Sequence, residues 1–205
     1  MIGNGVIAVI IAYLLGSIPA AYIITRLRTG KDIRQLGGGN VGARNVYREV
    51  GLGAAIPVAI FDVGKGAAAV AIAYWWLAAH PFFVMAAGLA VVAGHMWSIY
   101  LKFTGGNGLS ATIGVLSVLM TRELVIVLSI MLVLTVMTRN PVLSLNTGLL
   151  SLPVFGWFLE ESWLLVVFSI IVLLMMVLHF LPTARAALAK AGSKENLLAE
   201  PLRRN

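Results

Sequence analysis

The chain has 205 residues, of which 60% are hydrophobic and 11% are charged. Soluble domains are nearer about 25% charged, so this composition excludes a soluble globular domain, a disordered protein and a collagen-like fibre. Fifteen Lys and Arg against eight Asp and Glu give a formal charge of +7. In a membrane protein this excess favours loops on anionic lipid or a site for an anionic substrate. The absence of cysteine excludes disulfides, thiolate metal sites and cysteine nucleophiles.

Long apolar stretches dominate the chain. A membrane-spanning helix needs about 20 apolar residues to cross a hydrocarbon core about 30 Å thick. The sequence therefore predicts an all-α membrane protein, a polytopic bundle of seven transmembrane helices. The fourth, fifth and sixth are short, so they must be sheltered by neighbouring helices or thin the bilayer locally. The predicted spans are residues 6–24, 54–79, 82–101, 109–120, 124–138, 143–158 and 163–181.

The placement of basic residues predicts the orientation of these spans. With the N-terminus outside and the C-terminus cytoplasmic, thirteen loop and tail bases lie inside and only Arg122 lies outside. This asymmetry follows the positive-inside rule. Glu123, Glu160 and Glu161 then also lie outside. One helix merging the fourth and fifth spans would bury Arg122 and Glu123, so we expect two helices there.

The spans form one domain, residues 1–182, with no soluble second domain. Cytoplasmic motif loops are predicted at 25–53 and 102–108. Small residues such as Gly16 and Ala20 allow neighbouring helices to approach closely. Residues 183–205 are predicted to be a cytoplasmic tail, a short interfacial helix followed by a frayed end.

The first predicted cytoplasmic loop carries a cluster of glycines with Asn40 among them. Glycines allow successive backbone N–H groups to converge on an anion, and arginine grips phosphate oxygens as a fork. The alternative is a flexible connector between helices, although tandem glycines with two Asn and two Arg are unusual for one. The candidate phosphate-binding residues here are Gly37, Gly38, Gly39, Gly42, Arg44, Asn45 and Arg48.

A second glycine-rich turn precedes the fourth span. It contains Gly105, Gly106, Asn107 and Gly108. The start of a helix offers free N–H donors, so this turn is also a candidate phosphate site. His95 lies near the cytoplasmic end of the third span, where either a structural hydrogen bond or a role in the site satisfies it.

Three further polar residues lie within predicted spans. Asp62 and Lys65 are three residues apart and therefore share a helix face, so we expect them to pair or to line a polar pocket. A purely structural ion pair is the alternative. His179, at the cytoplasmic end of the last span, is suited to accept a proton near neutral pH. Its alternative is an interfacial residue solvated by headgroups.

In their order and spacing, these segments resemble the acyl-phosphate:glycerol-3-phosphate acyltransferase family of bacterial membranes, the PlsY type. The resemblance covers nearly the whole chain. The matching segments are LGSIP at 15–19, GNVGA at 39–43 with Asn45 and Arg48, FDVGKG at 61–66, GH at 94–95, LKF at 101–103, GGNG at 105–108, and His179.

The resemblance implies transfer of a fatty acyl group from acyl phosphate to the 1-hydroxyl of glycerol 3-phosphate, giving lysophosphatidate for phospholipid synthesis. His179 and Asn40 are then the catalytic candidates, with Asp62, Lys65 and His95 in support. No metal, no cofactor and no nucleic acid are implied. The implied location is the bacterial plasma (inner) membrane, with membrane lipid as a further partner. A functional link is implied to enzymes that make acyl phosphate and that carry out the second acylation.

The chain departs from the family pattern at several motif positions. Gly38 stands where the family has Ser, Asn107 where it has Lys, and Pro182 where it has Asn; Arg44 and Ser98 replace Thr and Pro. One interpretation is that Arg44 supplies the charge that Asn107 lacks. The alternative is a catalytically impaired paralogue that binds phosphorylated substrate or regulates phospholipid synthesis. A small anion transporter is the third hypothesis.

Overall fold

The computed structural model describes residues 2–191, and over this range the fold is all α-helical, as predicted. One short π-helical turn (Ile72–Trp76) continues the fourth helix, and two 3₁₀ turns (Ile33–Gln35 and Ile99–Leu101) lie in loops. The α-helices are α1 (Ile2–Ser17), α2 (Ala20–Thr29), α3 (Ala43–Glu49), α4 (Leu52–Ala71), α5 (Pro81–Met96), α6 (Leu109–Leu119), α7 (Thr121–Thr138), α8 (Pro141–Leu150), α9 (Leu152–Glu160) and α10 (Trp163–Ala191).

Within the described residues, four helical segments are long and apolar enough to cross a membrane. They are Ile2–Thr29, Leu52–Trp76, Thr121–Thr138 and Trp163–Pro182. Two shorter apolar helices, Pro81–Met96 and Leu109–Leu119, lie between them. Many large apolar side chains on these helices are exposed, such as Ile60 at 68% and Val136 at 73%. Exposed apolar helix faces of this kind suit contact with lipid.

Close backbone contacts hold α1 against α5 and α4 against α6. A Cβ on Gly16 would collide with the carbonyl of Val91, and one on Gly94 with the carbonyl of Tyr13. Gly66 and Gly114 are equally close to the opposing helix at the α4–α6 crossing. Small residues allow such approaches in membrane proteins. The prediction for Gly16 is therefore confirmed.

The first predicted span is not one continuous helix. α1 ends at Ser17 and α2 begins at Ala20, with Ile18 and Pro19 between them. Proline has no N–H and disfavours the helical conformation in the residue before it, which explains the break. The Ile18 carbonyl accepts a backbone hydrogen bond from Ala20 at 3.2 Å. This break lies beside the site described below.

The start of α7 corrects the prediction for Glu123. α6 and α7 are separate helices, as predicted, and Met120 between them leaves the helical conformation. Glu123, however, is fully buried inside the bundle, not exposed in an outer loop. Arg122 stays exposed and pairs with Glu160 at 3.7 Å. In the first turn of α7, Glu123 therefore points into the bundle while Arg122 points outward.

The C-terminal third departs from the predicted boundaries. The predicted sixth span, residues 143–158, is two short helices, because α8 ends at Leu150 and α9 begins at Leu152, with Pro153 in its first turn. α10 continues through Pro182 to Ala191 without a break, so no helix end marks the domain boundary predicted there. The predicted frayed end, residues 192–205, lies outside the described residues.

Candidate functional site

The first glycine loop, residues 36–42, is held by the side chain of Asn45. Asn45 is buried, and its amide nitrogen donates to the carbonyls of Ile33, Leu36 and Asn40 at 3.4, 3.1 and 3.0 Å. A small apolar core, separate from the main core of the bundle, includes Ile33 and Val46. It anchors the loop and α3 to α2 and α4. Because its N–H groups are used within the loop, Asn45 shapes the loop instead of offering donors to phosphate.

The glycines of this loop differ in what they require. Gly37 and Gly39 have φ of 54° and 72°, a left-handed conformation that favours glycine. A Cβ on Gly37 would also approach the side-chain oxygens of Asn45 and Glu49 at about 2.6 Å. Gly38 is exposed, and nothing lies within 4 Å of a Cβ placed there. A side chain at position 38 is therefore accommodated without rearrangement.

The structure joins the two glycine loops. The Val41 N–H donates to the carbonyl of Gly105 at 3.3 Å, and the Gly106 N–H donates to the carbonyl of His95 at 3.0 Å. Gly106 is buried so closely that a Cβ would collide with the imidazole of His95 and the carbonyl of Val41. The prediction that Gly106 donates to phosphate needs correction, because its N–H is already bonded and its role is close packing.

A buried charged cluster lies beneath this junction. The Lys65 ammonium contacts Asp62 Oδ1 at 2.7 Å, which confirms the predicted pairing one helical turn apart on α4. His95 Nδ1 lies 3.5 Å from the same oxygen. All three side chains are at least 90% buried. His95 thus has the Asp62 carboxylate beside its ring, while its backbone carbonyl accepts from Gly106.

The helix break at Ile18 completes the cluster. Lys65 Nζ donates to the Ile18 carbonyl at 3.0 Å, and Ser98 Oγ donates to the Ser17 carbonyl. The carbonyls at the end of a helix lack donors within that helix, and here these two side chains provide the donors. A small cavity between the break, Lys65 and His95 has room for about one water molecule. Sequence reasoning named Ser17, Ile18 and Ser98 only as motif positions and did not assign them to the site, although Pro19 does signal a break.

Arg34 is a further cation that sequence reasoning left out of the site. It lies 2.7 Å from Asp32 and 5.5 Å from the ring centre of Tyr22, and it reaches the carbonyl of Leu101 at 3.5 Å. The Arg34 guanidinium, hydrogen-bonded to Asp32, holds the pKa of that carboxyl below its ordinary value. Arg34 thus braces the loop before α3 against the loop after α5.

Arg44, Arg48 and Lys102 are exposed cations next to the two glycine loops. Within the described residues, no carboxylate pairs with Arg44, Arg48 or Lys102. Arg44 and Arg48 lie one turn apart on α3, directly after the first glycine loop. Unpaired arginines beside a glycine loop suit an anionic ligand.

His179 and Asn40 lie at the same end of the bundle but on different elements. The His179 ring meets the ring of Trp97 edge-to-face, with centroids 5.3 Å apart. Trp97 follows His95 by two residues in the chain. Asn40 is half-buried in the first glycine loop, and its side-chain nitrogen faces Gly42. No direct contact joins His179 and Asn40 within residues 2–191, so a substrate must bridge them if both act on it.

The second glycine turn leads directly into α6. Gly108 has φ of 87° and packs against Met96, which fixes the direction in which α6 leaves the loop. Asn107 before it is exposed. The first N–H groups of α6, an 11-residue helix, point from the bundle towards this loop. The prediction of helix-start donors here stays a prediction.

Comparisons with known proteins agree with this arrangement. A family model described as glycerol-3-phosphate acyltransferase matches residues 6–189. Glycerol-3-phosphate acyltransferase 1 of Dehalococcoides mccartyi is 38% identical, with 96% of this chain and 97% of that protein covered. The glycerol-3-phosphate acyltransferase of a Thermoanaerobacter species is 36% identical over 92% of this chain and 94% of its own length.

Two solved structures share the fold. Both are PlsY, an integral membrane glycerol 3-phosphate acyltransferase, one in the glycerol 3-phosphate form and one in the lysophosphatidic acid form. They are 27% and 26% identical to this chain, with TM-scores of 0.80 and 0.78, and each comparison covers 91% of this chain and 92% of the other. The resemblance read from the motifs is thereby confirmed, and the chain belongs to the glycerol-3-phosphate acyltransferase family of integral membrane enzymes.

Proposed function

We propose that this chain transfers a fatty acyl group from acyl phosphate to the 1-hydroxyl of glycerol 3-phosphate. The hydroxyl oxygen attacks the acyl carbon and loses its proton, while the bond from that carbon to the phosphate oxygen breaks. The products are lysophosphatidate and inorganic phosphate. The observation that carries the proposal is the joined pair of glycine loops, with unpaired Arg44 and Arg48 beside them and a buried charged cluster beneath.

Both substrates carry phosphate, so binding needs N–H donors and cations at one place. Arg44 and Arg48 provide exposed guanidinium groups, and we assign them to phosphate. The free N–H groups at the start of α6, with Asn107 and Gly108 before them, are suited to the second phosphate. Gly38 leaves its part of the first loop open for backbone approach.

The catalytic step needs little covalent assistance from the protein. Phosphate is already a good leaving group, so positioning and stabilisation of developing charge suffice. We assign His179 and Asn40 to the acceptor hydroxyl: His179 accepts its proton or orients it, and the Asn40 amide fixes its direction. The edge contact with Trp97 supports this role, because it fixes the His179 ring beside the end of α5.

The buried polar groups act through the loops instead of touching substrate. Asp62 and Lys65 tie α4 to the helix break at Ile18, and His95 ties α5 to Gly106. Asn45 sets the shape of the first loop. We therefore propose Asp62, Lys65, His95 and Asn45 as positioning residues.

We propose that seven helical segments cross the bacterial inner membrane, with the N-terminus outside and the glycine loops cytoplasmic. The basic residues in and near those loops support this orientation through the positive-inside rule. α5 and α6 are short, but they pack between longer helices, which shelters them. The site then takes soluble glycerol 3-phosphate from the cytoplasm and acyl phosphate from the bilayer. Enzymes that make acyl phosphate supply its donor substrate, and enzymes that acylate lysophosphatidate consume its product.

A transfer assay tests the proposal. Purified protein in lipid, given both substrates, should release phosphate and form lysophosphatidate at equal rates, and a heat-treated sample should do neither. The double substitution Gly38→Ser with Asn107→Lys separates enzyme from impaired paralogue, since both positions are exposed and tolerate a side chain. If the wild type binds glycerol 3-phosphate without turnover and only the double variant turns over, the chain is an impaired paralogue and the proposal fails.

A further inference from the structure

We propose that residues 99–103, the interfacial turn, insert into the headgroup layer of an anionic phospholipid bilayer and hold the second glycine loop at the depth of the lipid phosphates. This inference rests on the proposed function, because it assigns how the membrane-borne donor reaches the site. The turn lies between the end of α5 at Met96 and the glycine loop that begins at Gly105.

The turn exposes an unusual amount of apolar and aromatic surface for a loop. Ile99, Tyr100 and Phe103 are 47%, 56% and 61% exposed, and Lys102 between them is exposed as well. Aromatic rings with a lysine are the combination enriched at membrane–water interfaces, since the rings lie among headgroups while the ammonium reaches phosphates. A loop surrounded by water gains nothing from exposing these side chains.

The backbone of the turn is held in a conformation that side chains rarely adopt. Lys102 and Phe103 have φ of 55° and 59°, and neither is glycine. Such a conformation is strained for a residue with a side chain and persists only where the surroundings fix it. The surroundings here do so: the Phe103 N–H donates to the Ser98 carbonyl at 2.8 Å, and Thr104 Oγ1 donates to the Leu101 carbonyl at 2.6 Å.

The same residues tie the turn to the site. Leu101 is buried in the small core with Ile33 and Val41, and Ser98 is buried against the carbonyl of Ser17. Arg34 reaches the Leu101 carbonyl from the first loop. The turn is therefore a rigid projection of the site, and the depth at which it lies sets the depth of residues 105–108.

The positive charge around the turn indicates that its binding surface is anionic lipid. Lys102 is unpaired within the described residues, and Arg26, Arg28 and Lys31 at the end of α2 add to the positive charge at this end of the bundle. Basic residues beside a membrane are attracted to the negative charge of anionic lipid headgroups. The apolar side chains of the turn then enter the same layer. An anionic lipid surface satisfies both features at once.

Labelling tests the proposal without any activity measurement. The chain has no cysteine, so Phe103→Cys introduces a single attachment site for a polarity-sensitive fluorophore. In vesicles of phosphatidylglycerol and phosphatidylcholine, nitroxide lipids with a shallow quencher should quench this label strongly, and iodide should quench it weakly. Gln35→Cys, an exposed polar position at the same end of the bundle, is the matched control and should show the reverse. Equal iodide quenching at both positions overturns the proposal, because the turn then faces water. Weak quenching of the Phe103→Cys label by both iodide and the nitroxide lipids also overturns it, because the turn is then covered by protein.

A kinetic measurement gives a second, independent test. Tyr100→Ser with Phe103→Ser should raise KM for a long-chain acyl phosphate in vesicles about tenfold, because two apolar side chains lose their burial in lipid. The KM for glycerol 3-phosphate and kcat should change less than about twofold. The conservative single variant Phe103→Trp should keep the wild-type KM, because tryptophan is also enriched at membrane interfaces. A parallel fall in kcat for every donor, with KM unchanged, contradicts an interfacial role. If the wild type lacks turnover, the proposed function fails. The labelling result still shows whether the interfacial turn lies in the headgroup layer.

Discussion

Two buried carboxylates, at opposite ends of the bundle, have contrasting surroundings. Asp62, beneath the glycine loops, contacts the ammonium of Lys65 at 2.7 Å and lies 3.5 Å from His95. Glu123, at the start of α7, is just as buried, yet within residues 2–191 neither of its oxygens has a hydrogen-bond partner. The difference between the two is the counter-charge: Asp62 lies against an ammonium beneath the glycine loops, whereas among the described residues no cation pairs with Glu123.

The hydrogen bonds of nearby residues extend the contrast. Near Asp62, the side chains of Lys65 and Ser98 each donate a hydrogen bond to a backbone carbonyl at the helix break. Around Glu123, the nearest charged pair, Arg122 with Glu160, is exposed and long at 3.7 Å. Exposed pairs contribute about 0–1 kcal/mol, whereas breaking a buried pair costs several times as much. The two ends should therefore respond very differently to substitution.

The largest effect is expected for Asp62→Ala. The substitution leaves the Lys65 ammonium buried without its counter-charge, which typically costs about 3–5 kcal/mol. Thermal unfolding of the purified protein in detergent should show a large fall in Tm. Asp62→Leu combined with Lys65→Met removes both charges and should recover most of that loss. An equally low Tm for the double variant means that packing at this position, not the unpaired charge, is what matters.

The next largest effect is expected on the transfer rate, and three Gly→Ala variants compare the glycine-loop junction with positions outside it. Gly106→Ala places a methyl group against His95 and the Val41 carbonyl, so the two loops must separate. Since a misplacement of about 1 Å can lower a rate about 10²-fold, we expect that loss in the transfer assay. Gly53→Ala at the start of α4 meets open space, and Gly156→Ala at the opposite end meets the flexible tip of Met120 and, at ordinary van der Waals distance, Leu165. Both controls should retain the wild-type rate, and a similar loss in all three breaks the comparison.

A smaller effect of opposite sign is expected at Glu123. Replacing a buried polar group by an apolar one of similar shape is often neutral or stabilising. Glu123→Met should therefore raise Tm by a few degrees, since about 1 kcal/mol shifts Tm by about 2–4 °C in a chain of this size. Glu123→Gln should fall between the two. A lower Tm in Glu123→Met shows that the carboxylate is stabilised by its surroundings, which removes the difference from Asp62.

The smallest effect concerns Asp32, which is paired but near the surface. Because Arg34 lowers the pKa of Asp32 in the folded state, the unfolded chain binds more protons in acid. The stabilisation is therefore present above the ordinary aspartate pKa and is lost as pH falls through the folded value. Asp32→Asn should lower stability by less than about 1 kcal/mol, equally at every pH between about 5 and 8. A stability difference that varies over this range assigns the effect to another group.

Local features of the sequence predicted a large part of this structure. The length of the apolar stretches identified the helical segments. The spacing of Asp62 and Lys65 predicted their ion pair, because residues three apart on a helix are neighbours. The order of the motifs identified the family. Proline was informative in one place and not in another: Pro19 lies at a helix break, whereas α10 continues through Pro182. Neighbouring helices decide which outcome prevails, and a local pattern does not contain them.

The sequence by itself determined that the protein is a helical membrane protein of this family, since both follow from residue types and their order along one chain. Only the tertiary structure decided which N–H groups of the glycine loops are already bonded, as at Gly106, and which charges face inward, as at Glu123. The reason is physical: a hydrogen bond between Val41 and Gly105 joins residues 64 positions apart. Whether such groups meet depends on how closely α1, α4, α5 and α6 pack, and that packing is a property of the whole bundle.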